Sequence, residues 1–441
     1  SVMLKRASLL LCSMLLFLFC VTAQTCVAQE DPDVGGITGY KGMQALKGNW
    51  RPFNNSSPWN TEIPADALEH PESDSIIAYM TGKYLRFGRE WNPTLHVVGA
   101  QAPKYHYRAW SGTRRGKIYR FTHFGGNNWW NPDAEGNSGN GDDITDDPWP
   151  FIPGITYSEH MDDGRMIIVD KSAGNKYTSY EVTHGTSSAS FEGVYAPCTT
   201  FNIWNLGYRG IVTERDTCSS VTAQGTFCDD YWFCAGGSGA GTSLIAGLIR
   251  PKELTNAVGA VLAPGDPDYN PDVASGDGLI HHALKFAFNF NRCGPPLYPF
   301  AYRNDGTITA SYSCEEISKP LQGMLFQLLD PDDVILNNTN NIYGKVIVRT
   351  LKKYGMVLVD NGSNDDSMAL YIQNMCTLNG VKTNYGWWED PNAVPCFKGL
   401  YDSITHIKAE NFRVVNTMAI HGAHILEKHT ECPQDHCHPD Y

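Results

Sequence analysis

The sequence predicts a mainly β protein: a large β-sandwich or jelly-roll-like unit with long insertions and one or two peripheral helices. Three observations predict it. Short runs of β-branched and aromatic residues end in turn chemistry, helical periodicity is sparse, and the 441 residues contain no internal repeat or low-complexity linker. One unit is therefore expected across residues 29–430, and the Gly- and Pro-rich stretch 263–278 is the place where two intimately packed sheets or subdomains would divide.

Residues 1–28 read as a signal peptide. Lys5 and Arg6 precede an apolar run from Leu9 to Val21, and small residues follow at Ala23 and Ala28. The run is shorter than the roughly 18 to 20 residues that span a bilayer as a helix. Cleavage after Ala28 removes Cys12, Cys20 and Cys26 and leaves an even set: Cys198, Cys218, Cys228, Cys234, Cys293, Cys314, Cys376, Cys396, Cys432 and Cys437. In an oxidising, extracellular compartment these are expected to form disulfides. Glycosylation sequons stand at Asn54, Asn55, Asn337 and Asn361.

The strand candidates follow in order. Lys117 to Phe124 is one. Arg165 to Asp170 and Tyr177 to Val182 flank Ser172-Ala173-Gly174-Asn175, a hairpin signal because Gly and Asn accept positive φ. His281 to Phe290 places Leu284, Phe286, Phe288 and Phe290 on one face, with His282, and sends His281, Lys285 and Asn289 to a face turned toward solvent or a cleft. Met356 to Val359 enters Asp360-Asn361-Gly362, with Ala369 to Ile372 as its expected returning partner, and Phe412 to Val415 is the last strand. A helix is expected over Asn341 to Tyr354, stopped by Gly355, and a second over Lys398 to Ile407. Residues 431–441 form a Cys/His tail, where a Cys432 or Cys437 disulfide outweighs a zinc or copper site through His436, Cys437 and His438.

Charge argues against a nucleic-acid partner. The formal net charge is −13, and −15 once Lys5 and Arg6 leave with the leader. A polyphosphate needs a basic surface that the short cluster Arg114, Arg115, Lys117 and Arg120 does not supply. Aromatic residues make up 12% of the chain and cluster at Trp129-Trp130, Tyr231-Trp232-Phe233 and Trp387-Trp388. Sugar rings pack their C–H faces on such planes, so Trp129 and Trp130 with Asn128 form a candidate platform for an extracellular polysaccharide. Asn131 to Gly136 followed by Asp142 gives a weak calcium candidate through Asp133, Glu135 and Asp142.

The chain has no metalloprotease helix motif, no nucleophile elbow and no Walker loop. Cleavage of a glycan then rests on individual side chains. Hydrolysis uses two carboxyl groups, whereas elimination from a uronate uses a His or Tyr base with a cation on the carboxylate. His282, His123, Tyr302, Arg250 and Asp170 are the catalytic candidates, with His281, Lys285 and Asn289 as substrate contacts. The expectation is a secreted polysaccharide lyase or glycoside hydrolase, and the alternative is a non-catalytic glycan-binding or extracellular-matrix protein.

Five phrases carry a resemblance: Ser57-Pro-Trp-Asn-Thr61, Met166-Ile-Ile-Val-Asp170, Gly247-Leu-Ile-Arg-Pro-Lys-Glu253, His282-Ala-Leu-Lys-Phe286 and the run Lys353 to Ser363. In that order they resemble an uncharacterised family of secreted, mainly bacterial proteins. The resemblance implies one folding unit, draws attention to His96, Asp170, Arg250, His282 and Asp360, and implies no particular reaction.

Overall fold

The computed structural model describes residues 39–42, 45–53, 55, 57–88, 92–105, 108–109, 119–124, 149–150, 165–173, 176–183, 195–196, 200–206, 238–259, 278–292, 297, 299–301, 316–362, 367–374, 401–417 and 420. Residues 1–28 and 431–441, all the cysteines and the 263–277 stretch lie outside them.

The described residues are mainly β. The strands are β1 (Tyr40–Gly42), β2 (Tyr84–Phe87), β3 (Thr94–Val98), β4 (Lys104–Tyr105), β5 (Arg108–Ala109), β6 (Tyr119–Phe124), β7 (Trp149–Pro150) and β8 (Met166–Ala173). They continue as β9 (Lys176–Thr183), β10 (Tyr195–Ala196), β11 (Thr200–Leu206), β12 (Leu284–Ala287), β13 (Leu325–Leu328), β14 (Met356–Asp360), β15 (Ser367–Leu370) and β16 (Phe412–Val415). Among the described residues four α-helices accompany them, against the one or two expected: α1 (Ser73–Met80), α2 (Pro251–Gly259), α3 (Val334–Asn338) and α4 (Ile342–Lys353).

Two six-stranded sheets dominate. The first runs β1-β3-β8-β9-β11-β6 and the second β16-β13-β14-β12-β15-β2. The expected hairpin is present, β8 pairing antiparallel with β9 from Met166↔Val182 to Asp170↔Thr178. The expected pairing of the 356 and 369 strands is overturned. β12 inserts between them, parallel to β14 and antiparallel to β15. Strand β2 completes that edge parallel to β15. The reason lies in β12 itself: Leu284, Lys285, Phe286 and Ala287 are all buried, so it needs partners on both edges and cover on both faces.

Each face of the second sheet has its own core. Leu284 and Phe286 of β12, Met356 and Leu358 of β14 and Met368 and Leu370 of β15 pack with Val346, Ile347 and Leu351 of α4 and with Leu254 of α2. Helix α4 starts where the Asn341 side chain accepts from the Tyr343 and Gly344 amides and stops at Gly355, whose φ is 71°. The opposite face, with Ala283, Ala287, Val357 and Val359, packs on Leu95, Val97, Ile167 and Val169 of the first sheet. The two sheets also touch at one corner, where the Asn374 amide donates to the Pro93 carbonyl at 2.9 Å.

Segment 238–250 runs into this inter-sheet layer. Gly247 has φ 63°, and a Cβ there would sit 2.8 Å from the Trp59 ring. Only glycine lets the chain pass that close. The second expected helix is reduced to a 3-10 turn at Tyr401–Ile404. Among the described residues no helix is long and apolar enough to cross a membrane.

Candidate functional site

The inter-sheet layer is apolar over most of its area and polar in one patch. The register of β8 and β9 places Glu181 opposite Ile167 and Ser179 opposite Val169, so both polar side chains share the face that Ile167 and Val169 present to the second sheet. Lys285 enters from β12, Asp360 from the end of β14, Tyr371 from just beyond β15 and Arg165 from just before β8. All six are buried.

Their contacts form two halves. The Arg165 guanidinium donates to an Asp360 carboxylate oxygen at 2.8 Å and to the Tyr371 hydroxyl at 3.1 Å, and Tyr371 donates to the same Asp360 oxygen at 2.8 Å. On the other side, the Glu181 carboxylate accepts from the Ser179 and Ser243 hydroxyls and from the Leu244 amide at 2.7 Å. Lys285 bridges the halves. Its ammonium donates to the Leu244 carbonyl and lies 4.9 Å from the centre of the Tyr371 ring.

Burial decides the proton affinities here, because a low-dielectric interior penalises every charged form. It brings Lys285 down to about 7; Glu181 opposes the shift, Arg165 adds to it and Asp360 opposes it. Burial pushes Glu181 up, against the hydroxyl and amide donors and Lys285. It also raises Tyr371 well above its ordinary value, helped by the Asp360 carboxylate. The cluster therefore holds an amine that gives up its proton near neutrality, beside a phenol that keeps its own.

A second polar cluster lies where α2 begins. Glu253 accepts from the Arg250 guanidinium at 2.6 Å and from the Arg250 amide at 3.2 Å, and its other bond is to His282 Nε2 at 3.1 Å. His282 Nδ1 faces the Ala283 carbonyl at 2.9 Å. The Arg250 guanidinium also reaches the carbonyls of Trp50 and Lys47 and lies over the Trp50 ring. Burial opposes ionisation of Glu253, but Arg250 and His282 outweigh it and hold the carboxyl below its usual range.

The sequence candidates divide accordingly. His282 and Arg250 do meet, through Glu253, which sequence reasoning missed. Asp170 is apart from both clusters, paired with Lys104 at 2.9 Å. His96 bonds the Tyr40 hydroxyl at 3.2 Å. His282 is buried, as its place on the apolar face requires. The wet face expected for His281, Lys285 and Asn289 is corrected at Lys285, which is 1% exposed because the first sheet covers that side of β12. His281 sits at the chain's approach to β12, its ring edge-on to Tyr354.

His123 lies on β6, but its side chain is outside the described residues, as are Tyr302, Asn128, Trp129, Trp130, Asp133, Glu135 and Asp142. Of the sequons, Asn55 and Asn337 are exposed and Asn361 is half-buried, and Asn54 is outside the described set. No group of three or more metal-ligating side chains occurs among the described residues. Comparison with family models, with curated proteins and with solved structures finds no match.

Proposed function

We propose that the protein is a secreted, carbohydrate-active enzyme that cleaves an extracellular polysaccharide by elimination next to a uronic-acid carboxylate, with its acid–base groups in the inter-sheet cluster of a sandwich-like body. One observation carries this reading: Lys285, brought down to about 7, lies against Tyr371, which Arg165 and Asp360 hold. Elimination needs a base, a cation for the carboxylate and a proton for the leaving oxygen. Lys285 takes the proton beside the carboxylate, Arg165 neutralises the carboxylate, and Tyr371 protonates the glycosidic oxygen as its bond breaks. Disulfides among the ten retained cysteines and glycans at the exposed sequons accompany the extracellular assignment.

The test is a panel of uronate and neutral polysaccharides, following the ultraviolet absorbance of an unsaturated product together with reducing ends. Lys285→Met and Tyr371→Phe should each lower kcat by about a hundred-fold or more, the usual range for a lost acid or base. Reducing ends without the absorbance would replace elimination by hydrolysis.

The depth of the same groups favours a second reading. With Lys285 at 1% and Tyr371 at 2% exposure, the cluster would only join the sheets, and the protein would bind glycans without cleaving them. No product from any polysaccharide, with retention on an insoluble glycan that Lys285→Met leaves unchanged, would establish that alternative.

A further inference from the structure

Strands β12 and β14 run parallel, and the turns at their C-terminal ends meet. The Asp360 carbonyl accepts from the Phe288 amide at 3.1 Å and from the Asn291 carboxamide nitrogen at 3.2 Å. Gly362 packs so closely that a Cβ would lie 2.8 Å from the Asn289 nitrogen. Two energetic costs fall in this one place. Phe290 has φ 72°, a conformation that L-residues avoid. Asn291 is 2% exposed, and its carboxamide oxygen meets no protein donor.

The amide cannot simply flip, because its nitrogen is committed to the Asp360 carbonyl. A buried acceptor without a donor is destabilising, and strain beside it is typical of ligand sites. The C-terminal ends of neighbouring parallel strands are also where open sheets receive ligands.

We propose that these turns form a carbohydrate subsite, in which the Asn291 carboxamide oxygen accepts a hydroxyl hydrogen and the Phe290 ring packs on the C–H face of the same sugar. The chemistry of the acceptor selects the ligand: a neutral amide oxygen suits an uncharged hydroxyl, and the half-buried phenyl beside it suits the apolar side of a pyranose. This rests on the carbohydrate reading above and deepens it. The subsite adjoins Asp360, whose carboxylate holds Arg165 and Tyr371, so a sugar bound here would lie next to the cluster.

Calorimetric titration with oligogalacturonate, oligomannuronate and cello-oligosaccharides tests it. At least one should bind saturably to the full-length protein. Asn291→Ala should weaken it about three- to ten-fold, as loss of one neutral hydrogen bond does. Phe290→Gly should weaken binding by a similar factor while the melting temperature holds, because glycine relieves the positive φ. In the wild-type protein, amide exchange at 288–292 and 360–362 should slow when the saccharide is present. Unchanged affinity in both variants, or exchange that the saccharide does not alter, overturns the subsite and leaves the enzyme reading standing. Absence of binding or cleavage with every saccharide overturns both.

Discussion

The two buried polar clusters contain similar groups and behave oppositely. Around Glu253, one carboxylate meets Arg250 and His282 directly, and its proton affinity falls despite burial. Around Lys285 and Glu181, the amine and the carboxylate answer to neutral partners, a carbonyl and a ring on one side, hydroxyls and an amide on the other. Both shift toward their uncharged forms. Direct ionic contact thus fixes charge at the start of α2, whereas Lys285 and Glu181, which lack it, are left shifted toward their neutral forms by burial. The first arrangement suits a clasp that pins the 47–50 segment. The second suits proton transfer.

The largest test of this contrast is Glu253→Gln, which strips Arg250 of its counter-ion and His282 of its carboxylate partner in a dry setting. It should cost about 3–5 kcal/mol in chemical denaturation. Next in size is the response to pH. Between about 7 and 10.5 the unfolded chain keeps a Lys285 proton that the folded protein has lost, so stability rises with pH through that window. Lys285→Met should flatten the rise.

Glu181 acts in the other sense. Its folded-state affinity is raised above the ordinary 4.5, so stability declines as pH climbs from 4.5 through the folded value. The two effects together predict a trough near neutrality in a series of denaturation midpoints, and a flat profile there would remove the contrast. Glu181→Gln should cost only about 1 kcal/mol at neutral pH, the scale of one rearranged hydrogen bond. Smallest of all, Thr94→Val removes a fully buried hydroxyl without a protein partner. Its thermal midpoint should stay level or rise slightly, within about 0.5 kcal/mol.

Much of the scaffold was legible in the chain. The 166–183 hairpin, the strand at 412–415 and the helix ending before Gly355 follow local rules of turn, periodicity and cap. The placement of β12 was not legible, because strand pairing across some 70 residues leaves no local trace; Phe286 meets Leu358 only in the folded sheet. The site divided in the same way. Arg250 and His282 stood out because they sit in the short phrases that carry the resemblance. Glu181 did not, since in Ser-Tyr-Glu-Val it alternates as a wet position would. Its burial comes from Ser243 and Leu244, more than 60 residues away. Tyr371 and Arg165 were missed for the same reason.

Strand β2 bears on how the chain is made. The first sheet is drawn wholly from residues 40–206, yet Tyr84–Phe87 leaves that stretch to edge the second sheet beside Ser367–Leu370. As the polypeptide emerges from the ribosome, the early sheet has all its strands while this one remains without its neighbour until almost the whole chain has been translated. The second sheet therefore closes last. Any truncation before residue 367 leaves an unpaired strand in the early half, a natural target for quality-control proteases.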